Sequence, residues 1–404
     1  MNRANKRILI SGASIAGPTL AYWLNRYGFD VTLVERAKTL RTGGYPIDVR
    51  AAALDVIERM GIFPDVRAAH VDTQRLTFLD SEGEPFAILR PEQITGGQEG
   101  RDLEVPRGAL TSLLFEVTRR DIDYRFGESI LSITQHDTRV LVTFLSGVQE
   151  TFDIIIGADG LHSNTRRLIF GPESQFERYL GYCYCASTLP NDLKLAHEAL
   201  IFNMPGKAAT LYAPAKSSVL YALMSFKHTR PADTEGLNTE YQRKLVADVF
   251  ANGHWEIPRM IDAMMKAEDF FFDTMSQIHM PRWSAGRVAL TGDAAHAPSF
   301  LSGQGSSMAL ISAYVLAGEL ASDADHSSAF AAYERVSRHY IEANQAMATG
   351  GGAVMIPETA ETLRVRNLAL QAAAAGGPGR LHGGESRPII NSFRLPDYDA
   401  RSIV

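Results

Sequence analysis

The stretch that most constrains the fold is ILISGASIAGPTLAYWL, residues 8–24. It predicts a β-branched strand, a glycine-rich turn and an amphipathic helix, which together begin a βαβ unit. Gly12 and Gly17 occupy the first and third glycine positions of a dinucleotide-binding turn, and Ser14 stands at the second. Serine is small enough for backbone N–H groups at the helix start, near Ala16, to approach a phosphate. The stretch therefore predicts a phosphate cradle, although such turns also occur for purely geometric reasons.

The second predicted strand ends at Glu35, about 20 residues beyond the turn. A carboxylate at this point accepts hydrogen bonds from both ribose hydroxyls and repels a 2′-phosphate. The site is therefore expected to hold FAD or NAD rather than NADP. Arg36 is either a capping or adenine-stacking residue or an ordinary solvated charge.

Two later motifs decide between FAD and NAD. They are DIIIGADGLHSNTRRLIF at 153–170 and GRVALTGDAAHAPSFLSGQGSSMALISAYVLAGEL at 286–320, and each ends a buried strand in a Gly/Asp turn before a helix. Asp293 can bond ribityl hydroxyls, and the segment SGQG at 302–305 offers backbone N–H groups to the pyrimidine edge of a flavin. One such aspartate is more simply explained as a helix N-cap. Three such turns in this order favour FAD.

The overall composition limits the partners and the location of the protein. The chain has 404 residues and a formal net charge of -6 without a run of like charges, which argues against nucleic-acid binding. No segment reaches the ~18 uninterrupted apolar residues of a membrane span. Cys183 and Cys185 are expected to be structural thiols on one face of a strand. We therefore expect a cytoplasmic protein, monomeric or weakly homo-oligomeric, with no membrane, nucleic-acid or metal partner.

The pattern along the chain predicts an α/β fold, in which a Rossmann-like FAD-binding domain has an inserted mixed β-sheet substrate domain and C-terminal helices. A hairpin is predicted around a turn at 81–84, and strand-like pieces dominate the middle of the chain. The predicted units are the FAD-binding domain at 1–70, 101–175 and 276–345, the substrate domain at 71–100 and 176–275, a C-terminal helix at 346–377 and a weakly structured tail at 378–404.

The three motifs resemble those of the class A flavoprotein monooxygenases of the para-hydroxybenzoate hydroxylase family. They match its dinucleotide turn, its DG motif and its GD motif, and the likeness covers about residues 7–345. With a C-terminal helix and no appended thioredoxin-like domain, the chain most resembles the tetracycline-inactivating type. The resemblance implies FAD, with NADPH or NADH as a transient reductant, and O2 as co-substrate. It also implies hydroxylation of an aromatic or polyketide-like small molecule through a C4a-hydroperoxyflavin.

The resemblance also implies roles for particular residues. The ADP half of FAD is expected to contact Gly12, Ser14, Gly17 and Glu35. Ala16, at the helix start, and Arg36, as an adenine-stacking residue, are further candidates from the residue pattern itself. The flavin and its ribityl chain are expected to contact Asp48, Arg50, Arg107, Asp293, Gly303, Gln304 and Gly305. Asp159 is expected to serve both FAD and the nicotinamide cofactor, Arg166 to support its turn, and Arg41 to contact NADPH. The alternative explanation for Arg107 is an ordinary arginine at a helix start.

The chain departs from the family pattern at the flavin loop. Family members often place a proline directly before this loop, whereas Pro298 comes earlier here and Phe300 lies nearer the loop. Ser306 and Ser307 replace the glycine- and asparagine-like residues that frequently follow this loop in the family. These departures predict an altered pocket over the flavin face.

The substrate pocket is expected between the flavin and the inserted sheet. Its candidate lining residues are Tyr212, Tyr221, Met224, Phe226, Pro298 and Phe300. For the four on predicted strands, the simpler explanation is ordinary sheet core. The flavin carries the chemistry, so no catalytic triad is expected, and His296 is interpreted as a helix-start packing residue rather than a base.

Two other functions fit the same residues. One is an FAD-dependent reductase or dehydrogenase acting on an apolar substrate without oxygen insertion. The other is a non-catalytic protein that binds a flavin or a drug.

Overall fold

The N-terminal residues form the βαβ unit that their sequence predicts. The computed structural model describes residues 6–40, 43–95, 100–215, 217–229, 238–376 and 388–398. Strand β1 (Arg7–Ser11) leads through the turn into helix α1 (Ala16–Arg26), and strand β2 (Asp30–Glu35) pairs parallel to β1. The apolar side chains of both strands are buried, as expected for a parallel sheet covered on both faces.

A six-stranded sheet carries all three sequence motifs. Its other strands are β7 (Asp123–Phe126), β11 (Ile154–Gly157), β17 (Ser284–Ala285) and β18 (Val288–Leu290), in the order β17-β18-β11-β1-β2-β7. Every neighbouring pair is parallel except β17 with β18. The carboxyl ends of β1, β11 and β18 therefore meet at one edge, which is where ligands bind in open α/β sheets.

The middle of the chain builds a larger mixed sheet of seven strands. They are β4 (Arg75–Leu79), β5 (Pro85–Leu89), β12 (Glu177–Pro190), β13 (Glu198–Met204), β14 (Lys207–Ala213), β15 (Val219–Lys227) and β16 (Phe271–Ile278), in the order β16-β12-β15-β14-β13-β4-β5. β4 and β5 form the predicted hairpin. One face of this sheet packs against helices α7 (Thr239–Phe250) and α8 (Ile257–Lys266), and the other face is turned toward the three motifs.

Two smaller sheets and the remaining helices complete the described fold. The small sheets are β3 (Pro46–Val49) with β6 (Leu103–Pro106), and β8 (Ile130–Gln135), β9 (Val140–Phe144) and β10 (Gln149–Phe152). The other helices are α2 (Ala52–Arg59), α3 (Phe63–Ala68), α4 (Pro91–Thr95), α5 (Arg107–Glu116), α6 (Asn164–Phe170), α9 (Asp293–His296), α10 (Gly305–Ser322), α11 (His326–Met355) and α12 (Ala360–Ala374). Among the described residues, no helix is long and apolar enough to cross a membrane.

Two helices, rather than one, cover the region predicted as a C-terminal helix. Residues 346–355 are the end of α11, and α12 begins after Pro357 with a capping box made by Thr359 and Thr362. Proline disfavours the helical region for the residue before it, which explains the break at this point.

The expectation of a weakly structured tail is wrong for residues 388–398. Tyr398 is buried against Tyr314 and lies over Gly318, where any Cβ would overlap its ring. Its hydroxyl donates a hydrogen bond to Glu319 Oε1 at 2.8 Å. The carbonyl of Pro396 accepts hydrogen bonds from the Tyr314 hydroxyl and from Arg59 on α2. Residues 388–398 are therefore part of the core around α10, which the glycine- and proline-rich composition of the region concealed.

The two cysteines are free and buried. They lie on the face of β12 that packs against α7 and α8. Burial raises the pKa of Cys185 to about 12, so this thiol stays protonated and unreactive at neutral pH.

The packing of Tyr398 gives a stability prediction. We expect Tyr398→Ala to lower the free energy of unfolding by about 3 kcal/mol, because it empties a filled aromatic site. Tyr398→Phe should lower it by about 1 kcal/mol, since only the hydrogen bond to Glu319 is lost. The measurement is urea unfolding, with Leu145→Ala as the control because Leu145 is 62% exposed. Equal, small effects of Tyr398→Ala and Leu145→Ala would contradict the assignment.

Candidate functional site

A cavity of about 2130 Å³ lies between the carboxyl edge of the six-stranded sheet and the seven-stranded sheet. The turn after β1, the DG motif after β11 and the GD motif after β18 all contribute to its wall. Residues of β4, β13, β14 and β15 line the opposite side. One continuous space therefore joins the three motifs to the inserted sheet.

The two glycines of the N-terminal turn are required by close backbone contacts. Gly12 has φ +110°, and a Cβ there would overlap the carbonyl oxygen of Ala158 in the DG motif. A Cβ on Gly17 would overlap the carbonyl oxygen of Gly12. Gly12 thus brings two motifs together, and Gly17 brings α1 onto the turn. Gly17 itself does not line the cavity, so its role is packing.

Ser14 holds an arginine of the cavity wall. Its Oγ accepts a hydrogen bond from Arg107 Nη2 at 3.0 Å. A hydroxyl has two lone pairs and one proton, so Ser14 can still donate to a phosphate oxygen while accepting from Arg107. Arg107 starts α5, and its alkyl chain packs against Gly44. The serine therefore links the dinucleotide turn to the arginine expected at the flavin.

Glu35 and Arg36 both line the cavity at the end of β2. The Glu35 carboxylate accepts hydrogen bonds from the backbone N–H groups of Ala13 at 2.9 Å and Ala37 at 2.8 Å. Each carboxylate oxygen has a second lone pair, which leaves room for ribose hydroxyls. The predicted NADPH contact Arg41 lies outside the described residues.

Asp159 organises the DG turn. Its carboxylate accepts hydrogen bonds from the Thr165 N–H and Oγ1, both at 2.9 Å, and from the Ser163 hydroxyl. It also lines the cavity. Asp159 therefore fixes the start of α6 while presenting negative charge to the cavity.

Arg166 joins the second and third motifs from below the cavity. Its guanidinium is fully buried and donates to the carbonyls of Leu161 at 2.6 Å and Ala294 at 3.0 Å. It also forms a salt bridge with Glu173 at 2.5 Å. This arrangement agrees with the supporting role predicted for Arg166.

His162 connects the DG loop to the seven-stranded sheet, a role that no sequence motif indicates. It lies 2.8 Å from Glu173 and 3.0 Å from Asp273 on β16. Burial lowers the pKa of His162, but the two carboxylates outweigh burial and raise it to about 10. The imidazole is therefore a cation at neutral pH and ties the two sheets together.

The third motif presents a carboxylate and a helix start to the cavity. Asp293 follows Gly292, which has φ +60°, and none of the described residues donates a hydrogen bond to its side-chain carboxylate. Burial raises the pKa of Asp293, and Arg107 opposes this shift. Gly303 adopts the left-handed conformation, after which α10 begins at Gly305 on the cavity wall.

The expected flavin loop is held by residues of β3. Asp48 Oδ2 lies against Gly303, and Ser307 Oγ donates to the Asp48 carbonyl at 3.2 Å. Asp48 also forms a salt bridge with Arg50 at 2.8 Å, and both side chains line the cavity. Gln304 is fully buried and its side chain does not line the cavity. Only its backbone therefore contributes to the expected flavin loop.

The groups that the three motifs present to the cavity fit FAD. Backbone N–H groups at the starts of α1 and α10 suit a pyrophosphate and the electron-rich edge of a flavin. The carboxylates of Glu35 and Asp293 suit ribose and ribityl hydroxyls, which are donors. The turn around Gly12 and Gly17 has space only because neither carries a Cβ.

An aromatic cluster stands beside the flavin loop. Phe300 stacks on Tyr184 with ring centroids 4.5 Å apart, and Tyr45 lies edge-on to Phe300 at 5.3 Å. Phe271 completes the cluster, and all four residues line the cavity together with Pro298. Only Phe300 and Pro298 were predicted. The alternation in GYCYCAS carried a usable signal, because it sets Tyr184 on the strand face opposite to the cysteines.

The strand candidates divide by which face of the sheet they occupy. Tyr212 and Tyr221 line the cavity. Met224 and Phe226 do not, since they are buried on the opposite face against α7 and α8. Successive residues of a strand point to opposite faces, so Tyr221 cannot share a face with Met224 or Phe226. The proposed pocket role of these two residues is therefore corrected to sheet core.

A half-buried acidic cluster lies at the Tyr212 end of the cavity. Glu104 on β6 accepts hydrogen bonds from the Tyr212 hydroxyl and from Thr73 Oγ1 at 2.9 Å. Burial and the nearby charge of Asp48 raise the pKa of Glu104 to about 7, although Tyr212, Thr73 and Arg50 oppose this. Glu104 therefore changes its protonation state near neutral pH. Sequence reasoning missed it because a single glutamate on a short strand carries no motif.

His296 is a packing residue, as its position predicted. It is buried between Trp283 and Tyr333 and does not line the cavity. Burial lowers the pKa of His296 to about 3, so it stays neutral.

Two substitutions in the N-terminal turn should have opposite outcomes. Gly17→Ala should abolish flavin retention, because its methyl group overlaps the Gly12 carbonyl oxygen. Ser14→Gly should retain flavin, because the backbone cradle is unchanged and only the bond to Arg107 is lost. The ratio of flavin to protein absorbance after purification tests both, with circular dichroism to check folding. Loss of flavin from folded Ser14→Gly would contradict the role assigned to the serine.

Comparison with known proteins identifies the family. The family model described as FAD binding domain matches residues 5–346. A flavin-dependent monooxygenase from an unknown prokaryotic organism is 40% identical over 341 residues, which cover 84% of this chain and 88% of that protein. The crystal structure of the tetracycline destructase Tet(55) matches with a TM-score of 0.83 at 35% identity, covering 98% of this chain and 100% of that one.

A more distant structure shares the fold. HpxO of Klebsiella pneumoniae, solved with FAD and uric acid, has a TM-score of 0.76 at 22% identity and covers 97% of this chain and 98% of that one. The matches to monooxygenases over most of the chain exclude the alternatives of a reductase without oxygen insertion and of a non-catalytic binder. The chain belongs to the FAD-binding class A flavin monooxygenases and is an FAD-dependent enzyme of that family.

Proposed function

We propose that the protein uses NADPH or NADH and O2 to hydroxylate an aromatic or polyketide-like small molecule in the large cavity. The observation that carries the proposal is the continuous wall from the three motifs to the aromatic cluster of Tyr45, Tyr184, Phe271 and Phe300. Flat aromatic surfaces stack favourably on such side chains. Tet(55) is a tetracycline destructase, which supports a polycyclic substrate for this chain.

FAD supplies the redox chemistry when bound, and the chain positions the reactants and excludes water. We propose that Glu35 and the starts of α1 and α10 hold the cofactor, with Asp293 at its ribityl chain. Arg107, held by Ser14, places positive charge at the same wall. Phe300 and Tyr184 then form the platform on which the substrate ring lies.

Glu104 is proposed as the proton acceptor for an acidic hydroxyl of the substrate. Tyr212 lines the cavity and donates its hydrogen bond to Glu104, so the pair can pass a proton away from the substrate. Glu104 also borders a second cavity of about 280 Å³, lined by exposed Asp72 and Arg90. A proton that reaches Glu104 therefore has a short way to solvent. An ionised phenol is a better nucleophile toward an electrophilic oxygen than a neutral one.

The monooxygenase proposal is tested by rapid mixing. The flavin of the purified holoenzyme is reduced anaerobically with NADPH, substrate is added, and the solution is mixed with O2. We expect a transient oxygenated-flavin spectrum before reoxidation, and NADPH oxidation that accelerates with tetracyclines, other aromatic polyketides or simple phenols. Reoxidation without a transient species, for every member of the panel, would overturn the proposal.

The proton-acceptor role gives a pH prediction. Hydroxylation of a phenol should slow as pH falls through about 7, because Glu104 is then protonated and cannot accept a proton. Glu104→Gln should remove this pH dependence and lower the rate at pH 8 by about 100-fold. Ionisable groups around Glu104 include Tyr212, Asp48, Arg50, Asp102 and His70, and all of these remain in the variant.

The matched control is Glu198→Gln. Glu198 accepts a hydrogen bond from Thr77 and pairs with Arg75, but it does not line the cavity. An unchanged pH profile in Glu104→Gln, or the same loss in Glu198→Gln, would contradict the assignment.

A further inference from the structure

One buried cation on the cavity wall lacks a counter-charge among the described residues. Arg366 on α12 is only 9% exposed, and its side chain lines the cavity. Its Nη2 donates to Asn203 Oδ1 at 2.7 Å, and its guanidinium lies over the Phe78 ring at 5.4 Å. Its Nε has no hydrogen-bond partner among the described residues.

No carboxylate in the described part of the chain forms a salt bridge with Arg366. Burial lowers the pKa of Arg366 to about 10, and no neighbouring charge contributes to this shift. Arg166 and Arg50 provide the contrast, because these buried arginines pair with Glu173 and Asp48. A buried guanidinium without an anion is unfavourable unless something else supplies one. The described residues therefore leave both the charge and part of the hydrogen-bonding capacity of this cavity-wall arginine unused.

Asn203 fixes the orientation of the guanidinium. Its Nδ2 donates to the carbonyl of Met355 at 3.0 Å and to that of Lys207 at 3.3 Å. These bonds leave Oδ1 as the acceptor that faces Arg366. The arginine is thus held in place by a neutral amide, which preserves its full positive charge.

The surroundings of Arg366 are otherwise apolar. The cavity wall near it consists of Leu76, Phe78, Ile94, Ile201 and Leu370. Asn203 pairs with Ala208 at one end of the β13–β14 ladder, and Ala199 pairs with Tyr212 at the other. Four residues of a strand span about 14 Å. Arg366 and the Tyr212–Glu104 pair therefore mark opposite ends of one sheet face.

We propose that Arg366 recognises an anionic oxygen on an elongated, otherwise apolar substrate. The oxygen is a carboxylate or an ionised enol or phenol, and charge-assisted hydrogen bonds to the guanidinium anchor the end of the molecule remote from Tyr212. The inference rests on the proposed function, in that the substrate occupies this cavity. It adds that the substrate is an anion and that α12 selects it.

The test uses the FAD-loaded protein and pairs of ligands that differ only in charge. The first pair is anthracene-2-carboxylate and its carboxamide, and the second is a polycyclic 1,3-diketone, ionised at pH 8, and its enol methyl ether. Equilibrium dialysis gives the dissociation constants. Wild type should bind at least one anion about 10- to 100-fold more tightly than its neutral partner. The pair that shows the preference identifies the kind of oxygen.

Arg366→Gln should remove the preference by weakening the anion while leaving the neutral partner unchanged. Arg366→Lys keeps the charge and should retain part of the preference, which guards against a folding defect in the first variant. The matched control is Arg364→Gln, two residues earlier on the same helix, where Arg364 is exposed and pairs with Glu361 at 2.8 Å. This control should behave as wild type.

Two outcomes overturn the inference. They are equal affinity of wild type for both members of both pairs, and a preference that survives in Arg366→Gln. Failure of the proposed function looks different, because ligands would then bind with charge preference but never accelerate NADPH oxidation.

Discussion

The cavity depends on the buried guanidinium of Arg166. This one side chain donates hydrogen bonds to the carbonyl of Leu161 in the DG motif, to the carbonyl of Ala294 in helix α9 of the GD motif and to the carboxylate of Glu173. Parallel strands bring the motifs to a common edge, but a strand order alone does not set the spacing of the loops that follow. Arg166 sets it by satisfying carbonyls of both motifs at once, and removing it would take a donor from each carbonyl and leave His162 as the remaining partner of Glu173.

Local sequence patterns were sufficient where function demands a specific backbone. The βαβ unit, the hairpin of β4 and β5 and the places of Gly12, Glu35, Asp159 and Asp293 follow from glycine positions, alternation and strand ends. The family resemblance added the role expected of Arg107. These features are predictable because a phosphate cradle tolerates few backbone geometries.

The rest of the site was not predictable because it is made by tertiary contacts between distant segments. Glu104 and Arg366 come from regions far apart in sequence, and only the fold brings them to the wall of one cavity. Met224 and Phe226 were misplaced because apolar residues on a sheet buried on both faces carry no sign of which face holds the ligand. The tail around Tyr398 was missed because its packing depends on a gap at Gly318, 80 residues away in sequence.

Helix α10 connects the wall of the cavity to the packed segment around Tyr398. It begins at Gly305 on the cavity wall and passes Gly318, against which Tyr398 is packed, roughly 20 Å further along the helix axis. A helix is stiff over that distance, so Tyr398 and the first turn of α10 at the cavity wall are attached to one rigid element. The contacts of residues 388–398 therefore stabilise the same helix that forms part of the cavity wall.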